Sequence, residues 1–437
     1  MAKPQIAVSG LATEFEAGVV SLLTKRLLPF LFLLYIVAYL DRMNVGFAAL
    51  QMQQQLGFND VVYGRAAGMF FLGYFVFQVP SNLILERLGA RRWIVVLMVT
   101  WGIISSSLIF VTTPRSFYIL RFCLGLAEAG FFPGIVLYLS NWFPLETRAR
   151  AFAWFMTAQP VSGIVGGPIS GALLGLHTKG NLAGWQWLFL IEGLPAILLG
   201  AVGAFVLSDG PETARWLTSE QRDWLLKTLA RQQPEKREAR LLPALTNRNV
   251  WILAFASVGL NTCGYGVTLW FPTLIHSLST RGNFGIGMLS VIPYVFAAVL
   301  MVLVGIHSDR TRERRWHAAS FAFLAALALP FAAYSRSVGP MIAAISIVVV
   351  SGYCISVTFW ALSTSLLRGT GAAAGIALIN AIGNLGGFCG PYLLGLVRGS
   401  TGNFKGGLLI LSAVMGLTGC LILMARSRAI ADPDPIS

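Results

Sequence analysis

The chain has 437 residues, of which 56% are hydrophobic and only 11% are charged, and its mean hydropathy is +0.71. Because soluble domains carry about 25% charged residues, this composition excludes a soluble protein and predicts a polytopic membrane protein. The net charge of +14 comes from lysines and arginines that concentrate in the loops on one side of the predicted spans. That asymmetry sets membrane orientation, and we therefore expect no nucleic-acid partner.

Twelve apolar segments have the roughly 20 residues that a helix needs to cross a bilayer. They must be helices, because backbone polar groups in lipid need partners within the protein. The even number and the basic loops predict a multi-pass protein of the cell (inner) membrane with both termini in the cytoplasm. The predicted spans are residues 27–50, 62–85, 93–112, 116–139, 149–175, 186–207, 249–275, 286–307, 317–335, 339–362, 372–397 and 405–425.

A long polar segment, residues 208–248, separates the sixth span from the seventh. It divides the chain into an N-terminal six-helix half, 27–207, and a C-terminal six-helix half, 249–425. Cytoplasmic segments, 1–26 and 426–437, precede and follow them. The predicted fold class is therefore all-α, with twelve transmembrane helices in two halves.

The two halves carry matching sequence landmarks. Glu86-Arg87 after span two matches Asp309-Arg310 after span eight, and the offset is 223 residues. Gly163-xxx-Gly167-Pro168 in span five matches Gly386-xxx-Gly390-Pro391 in span eleven at the same offset. A shared offset indicates an internal repeat. Parallel six-helix repeats, with a substrate site near the midplane between them, are typical of a large class of secondary transporters.

Two predicted spans each contain a pair of ionisable residues: Asp41 and Arg42 in the first, and Arg121 and Glu128 in the fourth. A charge near the centre of a membrane helix costs roughly 2.5–3.5 kcal/mol on insertion scales, so such residues face the protein interior or a water-filled cavity. Arg121 and Glu128 are seven residues apart, which is close to two helical turns and puts them on one face.

A rise of about 1.5 Å per residue predicts that Arg42 and Arg121 lie near one level, in the outer half of the membrane. Guanidinium groups match a carboxylate in charge and geometry, so we predict that these two arginines bind an anionic substrate. The alternative is that either arginine snorkels or belongs to a permanent ion pair between helices.

Asp41 and Glu128 are the predicted proton carriers. Burial favours the neutral form of a carboxyl group, whereas a neighbouring arginine favours the ionised form, and a balance of the two allows proton loading and release. Glu128 lies closer to the midplane by the same rise. The alternative is an acid that stays ionised as a counter-ion. Glu192, near an outer helix end, is interpreted as a structural partner.

Several stretches resemble known transporter motifs. Asn82-Leu-Ile-Leu-Glu-Arg-Leu-Gly-Ala-Arg-Arg resembles the motif of the major facilitator superfamily between helices two and three, and Gly305-Ile-His-Ser-Asp-Arg resembles its weaker counterpart between helices eight and nine. Tyr39-Leu-Asp-Arg-Met-Asn-Val-Gly-Phe-Ala, Leu120-Arg-Phe-Cys-Leu-Gly-Leu-Ala-Glu-Ala-Gly-Phe-Phe-Pro-Gly and Gly184-Trp-Gln-Trp-Leu-Phe-Leu-Ile-Glu-Gly resemble the anion:cation symporter family.

This resemblance implies the major facilitator fold and a secondary transporter that imports a small organic anion by proton symport and alternating access. Members move sugar acids, tartrate, phthalate, hydroxyphenylacetate and similar carboxylates, and animal relatives carry glutamate, sialate or phosphate. The resemblance also implies proton coupling by acids at the positions of Asp41 and Glu128.

Similarity to the family further implies substrate contacts from four polar or aromatic residues. The alternative for each is a purely structural role, an interhelical hydrogen bond that contributes roughly 0.6–2 kcal/mol. The four are Tyr74, Gln159, Trp360 and Asn380.

Charged residues at the predicted cytoplasmic helix ends are candidates for a gate. Glu86, Arg87, Arg91 and Asp309 are predicted to pair with helix ends across the two halves and to break those pairs in a rigid-body change. The alternative is that their charge serves membrane topology alone.

Two other functions are weighed against a symporter. Gly163-xxx-Gly167-Pro168-xx-Gly171 partly resembles the antiporter motif of helix five, which favours a proton-coupled drug or metabolite exporter, although two intramembrane arginines disfavour a cationic drug. A membrane-anchored sensor is disfavoured, because the linker between the two halves is too small for an output domain.

We find no phosphate loop, metal cluster or Ser/His/Asp set, so we expect no enzyme and no cofactor. The expected partners are a small organic anion, a proton and the lipid bilayer, and we expect a monomer.

Overall fold

The computed structural model describes residues 5–176, 181–232, 241–367 and 371–425. The predicted tail 426–437 and positions 233–240 of the predicted linker lie outside the described residues. Within these ranges the regular secondary structure is entirely helical, and no β-strand is formed. The α-helices are α1 (Gln5–Leu56), α2 (Asp60–Leu88), α3 (Ala90–Ser107), α4 (Pro114–Glu128), α5 (Phe131–Trp142), α6 (Leu145–Met156), α7 (Ala158–Leu173), α8 (Gly184–Val206), α9 (Ser219–Gln232), α10 (Leu241–Thr246), α11 (Arg248–Leu278), α12 (Asn283–Thr311), α13 (Arg315–Tyr334), α14 (Val338–Leu366), α15 (Ala372–Thr401) and α16 (Lys405–Met424).

The all-helical membrane fold predicted from the sequence is confirmed. Across the described ranges, 11 helical segments are long and apolar enough to cross a membrane. The predicted fifth span, 149–175, is divided into α6 and α7 by a break at Thr157. Pro160 has no N–H to offer the carbonyl group of Met156, which explains a break at this point. The two short helices together cover the predicted fifth span, consistent with a twelve-helix architecture.

The predicted fourth span is also interrupted. Its first helix, α4, ends at Glu128, and α5 begins at Phe131. Pro133 cannot donate a hydrogen bond to the carbonyl group of Ala129, so the helix does not continue through this turn. Glu128 therefore lies at the C-terminal end of a helix, in the middle of a membrane span.

The chain divides into two compact units. The first comprises Met1–Lys236 and Phe271–Val291, and the second comprises Arg237–Trp270 and Ile292–Ser437. Helices α11 and α12 each contribute to both units. The boundaries of the six-helix halves stay a prediction.

In the first unit, α1 packs against α7 and α8, α3 packs against α8, and α2 packs against α4. Helices α2 and α4 approach closely at two glycines. A Cβ atom at Gly73 would overlap the carbonyl oxygen of Phe122, and one at Gly125 would overlap the carbonyl oxygen of Phe70. Small residues at helix contacts permit such an approach. As a result, the Phe70 ring lies against the guanidinium group of Arg121.

Gly125→Ala is expected to lower the melting temperature of the purified protein. The added methyl group has no room beside the Phe70 carbonyl, and overpacking of this kind costs about 1–3 kcal/mol. Thermal unfolding in detergent measures the effect. Gly416→Ala is the matched control, because a Cβ atom there has no neighbour within 4 Å. Equal melting temperatures for the two variants would contradict the expectation.

Residues 219–229 of the linker have the pattern of an amphipathic surface helix with Ser219 as a plausible cap, and they lie within α9. The capping position is taken by Thr218 and not by Ser219. The Thr218 hydroxyl accepts from the Gln221 backbone N–H at 3.2 Å, and the Gln221 side chain accepts from the Thr218 N–H at 3.1 Å. Trp224 donates to Glu16 at 3.1 Å, so the linker helix is attached to α1.

In the second unit, α13 packs against α14 and α16. The indole of Trp270 donates to the carbonyl oxygen of Pro391 at 3.0 Å and so ties α11 to α15. A Cβ atom at Gly390 would overlap the carbonyl oxygen of Thr262, so these two helices also approach closely at a glycine.

Candidate functional site

Four intramembrane charges of the first unit form one buried cluster, which we call the charged cluster. Asp41 and Arg42 come from α1, and Arg121 and Glu128 come from α4. Asp41 and Arg121 are fully buried, Glu128 is 1% exposed, and the side chain of Arg42 is 14% exposed. The residues are therefore shielded from lipid, as ionisable groups at membrane depth require.

Arg42 forms an ion pair with Glu128. The distance from its Nη2 atom to Oε2 of Glu128 is 2.9 Å. The same guanidinium group lies over the rings of Tyr39, Phe70 and Tyr74, at 5.2, 5.1 and 5.5 Å from their centres. Such cation–π contacts stabilise a partly desolvated guanidinium group. Oε1 of Glu128 is buried and accepts no hydrogen bond from the described residues.

Arg121 contacts the face of Phe70, at 5.1 Å from the ring centre. Its Nε atom and both terminal nitrogens are buried, and they donate no hydrogen bond within the part of the chain that the structure describes. The carboxyl groups of Asp41 and Glu128 lie within electrostatic reach. A buried cation whose hydrogen bonds are unmade is costly, so this guanidinium group is well suited to receive an anionic ligand.

Asp41 has different neighbours from Arg42, although the two are adjacent in sequence. One oxygen of Asp41, Oδ1, accepts hydrogen bonds from the Ser105 hydroxyl and from the Asn44 amide, the latter at 3.1 Å. The other oxygen, Oδ2, accepts none from any described residue. Neighbouring positions on a helix point in different directions, so α1 presents its acid to α3 and its arginine to α4.

Glu192 belongs to the same buried region, which the sequence did not predict. It is 4% exposed and accepts a hydrogen bond from the Ser170 hydroxyl at 2.7 Å. The Asn44 amide that donates to Asp41 also faces Glu192. The sequence does contain a signal for Glu192: it is a carboxyl group inside an apolar span, and such residues are functional candidates by default.

Two of the predicted substrate contacts lie in the first unit. The ring of Tyr74 contacts Arg42. The amide of Gln159 donates to the hydroxyl groups of Tyr35, at 2.9 Å, and Tyr39. Because Tyr39 contacts Arg42 as well, Gln159 is connected to the charged cluster through one side chain.

The other two predicted contacts, Trp360 in α14 and Asn380 in α15, are half-buried residues of the second unit. Their contact with substrate stays a prediction.

The predicted gate residues have the following surroundings. Arg91 pairs with Asp209 at 2.8 Å and donates to the carbonyl oxygen of Ala204, both within the first unit. Asp309 lies 3.6 Å from Arg314 in the second unit. Glu86 and Arg87 are exposed. A gating role for these residues stays a prediction.

Comparison with known proteins gives the chain a family. The family model described as Major Facilitator Superfamily matches residues 31–391. A putative tartrate transporter of Agrobacterium vitis is 48% identical over 417 residues, which are 95% of this chain and 93% of that protein. A quinolone resistance transporter of Acinetobacter baumannii is 41% identical over 418 residues, covering 94% and 96% of the two chains.

The fold has a solved counterpart. The crystal structure of a bacterial homolog of the human lysosomal transporter Spinster, inward-facing and occupied, superposes with a TM-score of 0.75 at 15% identity, covering 91% of this chain and 96% of that one. The chain is therefore a multi-pass membrane protein that moves a small organic substrate by secondary transport, and its bacterial relatives suggest an inner membrane. It is a transporter and not an enzyme, and it belongs to the major facilitator superfamily.

Proposed function

We propose that this transporter imports a small carboxylate by proton symport through alternating access, as a member of the anion:cation symporter family. The observation that carries the proposal is the ion pair between Arg42 and Glu128 beside the fully buried Arg121. Two guanidinium groups in one apolar environment favour an anion with at least one carboxylate, because guanidinium forks match it in charge and shape.

The ion pair offers a mechanism for coupling. While Glu128 is ionised, it occupies Arg42 and competes with the substrate. When Glu128 takes a proton, its ion pair with Arg42 is lost, and Arg42 can then pair with the substrate carboxylate together with Arg121. Proton binding and anion binding then favour each other, and by linkage the effect is reciprocal. A carrier with this property moves the two together.

The sequence left two roles open for these arginines, a permanent ion pair between helices and an anion-binding site. In this proposal they are two states of the same side chains. In this proposal Arg42 alternates between Glu128 and the substrate, and Arg121 stays available throughout. The aromatic rings of Tyr39 and Tyr74 around Arg42 exclude water from the guanidinium group, which strengthens an ionic contact.

The relative named a putative tartrate transporter supports tartrate as the first substrate to test. Uptake of radiolabelled tartrate, glucuronate and 4-hydroxyphenylacetate into proteoliposomes is measured with and without an inward proton gradient. We expect at least one acid to accumulate above its external concentration with the gradient, and a protonophore to abolish this. An inward sodium gradient is the control. Uptake that is indifferent to the proton gradient would contradict the proposal.

A second candidate is the export of a drug or metabolite in exchange for protons. The relative named a quinolone resistance transporter favours it, and quinolones are aromatic acids whose carboxylate suits the same arginines. The two candidates therefore share recognition chemistry and differ in the direction of coupling. Proteoliposomes loaded with a quinolone distinguish them: an exporter releases the drug faster when protons are driven inward, whereas a symporter releases it faster when protons are driven outward.

A further inference from the structure

The buried region of the first unit holds more acids than bases. Within the described residues, the carboxyl groups of Asp41, Glu128 and Glu192 share one polar interior with the guanidinium groups of Arg42 and Arg121. An uncompensated charge in such surroundings is strongly disfavoured. The cluster therefore reaches neutrality by holding one proton on a carboxyl group.

The contacts indicate which carboxyl group holds that proton. Glu128 is paired with Arg42 at 2.9 Å, and Arg121 lies within reach of Asp41 and Glu128. The charged residue that faces Glu192 is Asp41, an acid like itself. A carboxyl group whose charged neighbour is another carboxylate favours its neutral form.

Among the described residues, the other recorded partners of Glu192 are uncharged. Helix α8 packs against α1, α3 and α7. From α7 the Ser170 hydroxyl donates to Oε1 of Glu192 at 2.7 Å, and from α1 the Asn44 amide faces it. From α3 the Ser106 hydroxyl lies against Gly193, the next residue of α8. Within the described ranges, Oε2 of Glu192 and Oδ2 of Asp41 are both buried and without a hydrogen bond, so each acid keeps one oxygen able to carry a proton.

We infer that Glu192 is the proton-loading residue for Asp41, receiving protons from the outer side and passing them on across Asn44. The inference rests on the proposed function, an anion moved with protons. Glu192 lies eight residues after Gly184, where α8 begins, which is about 12 Å along the helix. The predicted topology puts that helix end outside, so the outer solution is the nearer source of protons for Glu192 in this proposal.

The sequence of charges balances at each step. In the empty carrier Arg121 stabilises the ionised form of Asp41, and the proton is on Glu192. A substrate carboxylate that binds Arg121 takes over the positive charge, and Asp41 then favours its neutral form. The O–H bond of Glu192 breaks as the O–H bond of Asp41 forms, and Glu192 takes a new proton from the outer solution. Asp41 passes its proton on to Glu128, which lies within its electrostatic reach, and the neutral Glu128 releases Arg42 to the substrate. One proton has entered the cluster for the one negative charge that the substrate brought.

Glu192→Gln tests this role, because glutamine keeps the shape and accepts the Ser170 hydrogen bond but carries no transferable proton. Two fluxes are compared in proteoliposomes with tartrate, or with another acid that the wild type accumulates. One is net uptake driven by a proton gradient, and the other is exchange of labelled for unlabelled acid at equal pH. We expect net uptake to fall at least about tenfold and exchange to stay near the wild-type rate, since exchange needs no net reloading of Asp41.

Two further variants keep the test decisive. Glu192→Asp is expected to restore net uptake. Asn44→Leu leaves both acids in place but removes the amide between them, and we expect the same selective loss of net uptake as in Glu192→Gln. A parallel loss of both fluxes in Glu192→Gln and Asn44→Leu would assign Glu192 a structural role and overturn the inference, and so would net uptake that neither variant changes. Wild-type uptake that no proton gradient accelerates would instead overturn the proposed function, and this inference with it.

Discussion

Replacing Arg121 by lysine is expected to lower kcat/KM for proton-driven carboxylate uptake by roughly 10- to 100-fold. A hydrogen bond to a charged group contributes about 1.5–3 kcal/mol, and each 1.4 kcal/mol corresponds to about a factor of ten. Lysine keeps the positive charge but presents a point charge on a flexible stem, so it loses the fork that holds both oxygens of a carboxylate.

The surroundings of Arg121 make this site sensitive. The guanidinium group is fully buried against Phe70, at 5.1 Å from the ring centre, and makes no hydrogen bond to the described residues. Its hydrogen-bonding capacity is therefore available to a ligand. A residue held for packing alone would tolerate lysine, whose stem fills much of the same space.

Initial uptake rates at varied substrate concentration measure the effect. Arg115→Lys is the matched control, because Arg115 is exposed on the same helix and undergoes the same substitution. If Arg121→Lys and Arg115→Lys transport every candidate acid equally well, the anion site does not include Arg121.

Glu128→Gln is expected to abolish accumulation against a gradient while exchange of labelled for unlabelled acid continues. The variant frees Arg42 from its 2.9 Å ion pair, so the carboxylate binds whether or not a proton is present. With no proton-dependent competition, the coupling free energy between the two ligands vanishes. The substrate is then expected to equilibrate across the membrane and to reach only its external concentration inside.

The measurement compares steady-state accumulation under an inward proton gradient with exchange at equal pH. Glu86→Gln is the control, since Glu86 is exposed at the end of α2. Accumulation that survives in Glu128→Gln would remove Glu128 from the coupling mechanism.

Thermal unfolding of Glu128→Gln distinguishes a role of the ion pair in coupling from a purely structural one. Removing one partner of a buried pair that exists for stability costs about 3–5 kcal/mol, and a large fall in melting temperature together with loss of both fluxes would support that alternative. In the proposed mechanism Arg42 must leave Glu128 in every cycle. The pair is then only marginally stabilising, and the melting temperature changes little.

Much of the architecture follows from composition and hydropathy. A chain with 11% charged residues has too few polar groups to cover a soluble domain, and segments of spanning length in lipid must be helical. The same reasoning singles out Asp41, Arg42, Arg121 and Glu128, because a charge at membrane depth requires a protein environment. These features depend on local sequence and on the solvent, and they need no knowledge of how the helices pack.

The positions at which membrane helices break are harder to predict from the sequence. The sequence shows Pro133 and Pro160, but a proline in a membrane helix either bends it or interrupts it, depending on what neighbouring helices supply. The chain interrupts both helices, after Glu128 and at Thr157. The first break puts Glu128 at a helix end, a position that hydropathy does not reveal.

Which charged side chains pair with one another was decided by the packing of the helices. The helical rise predicted that Arg42 and Arg121 share a level and that Glu128 lies deeper, yet Arg42 pairs with Glu128 and Arg121 stays without a hydrogen bond to the described residues. Glu192, interpreted from the sequence as a structural partner, accepts a hydrogen bond from Ser170, and its position facing Asp41 across Asn44 follows from the packing of the helices. Depth along a helix follows from residue number, because the rise is constant. Which side chains meet depends on the rotation and close approach of neighbouring helices, which are set by long-range contacts such as the one between Gly125 and Phe70.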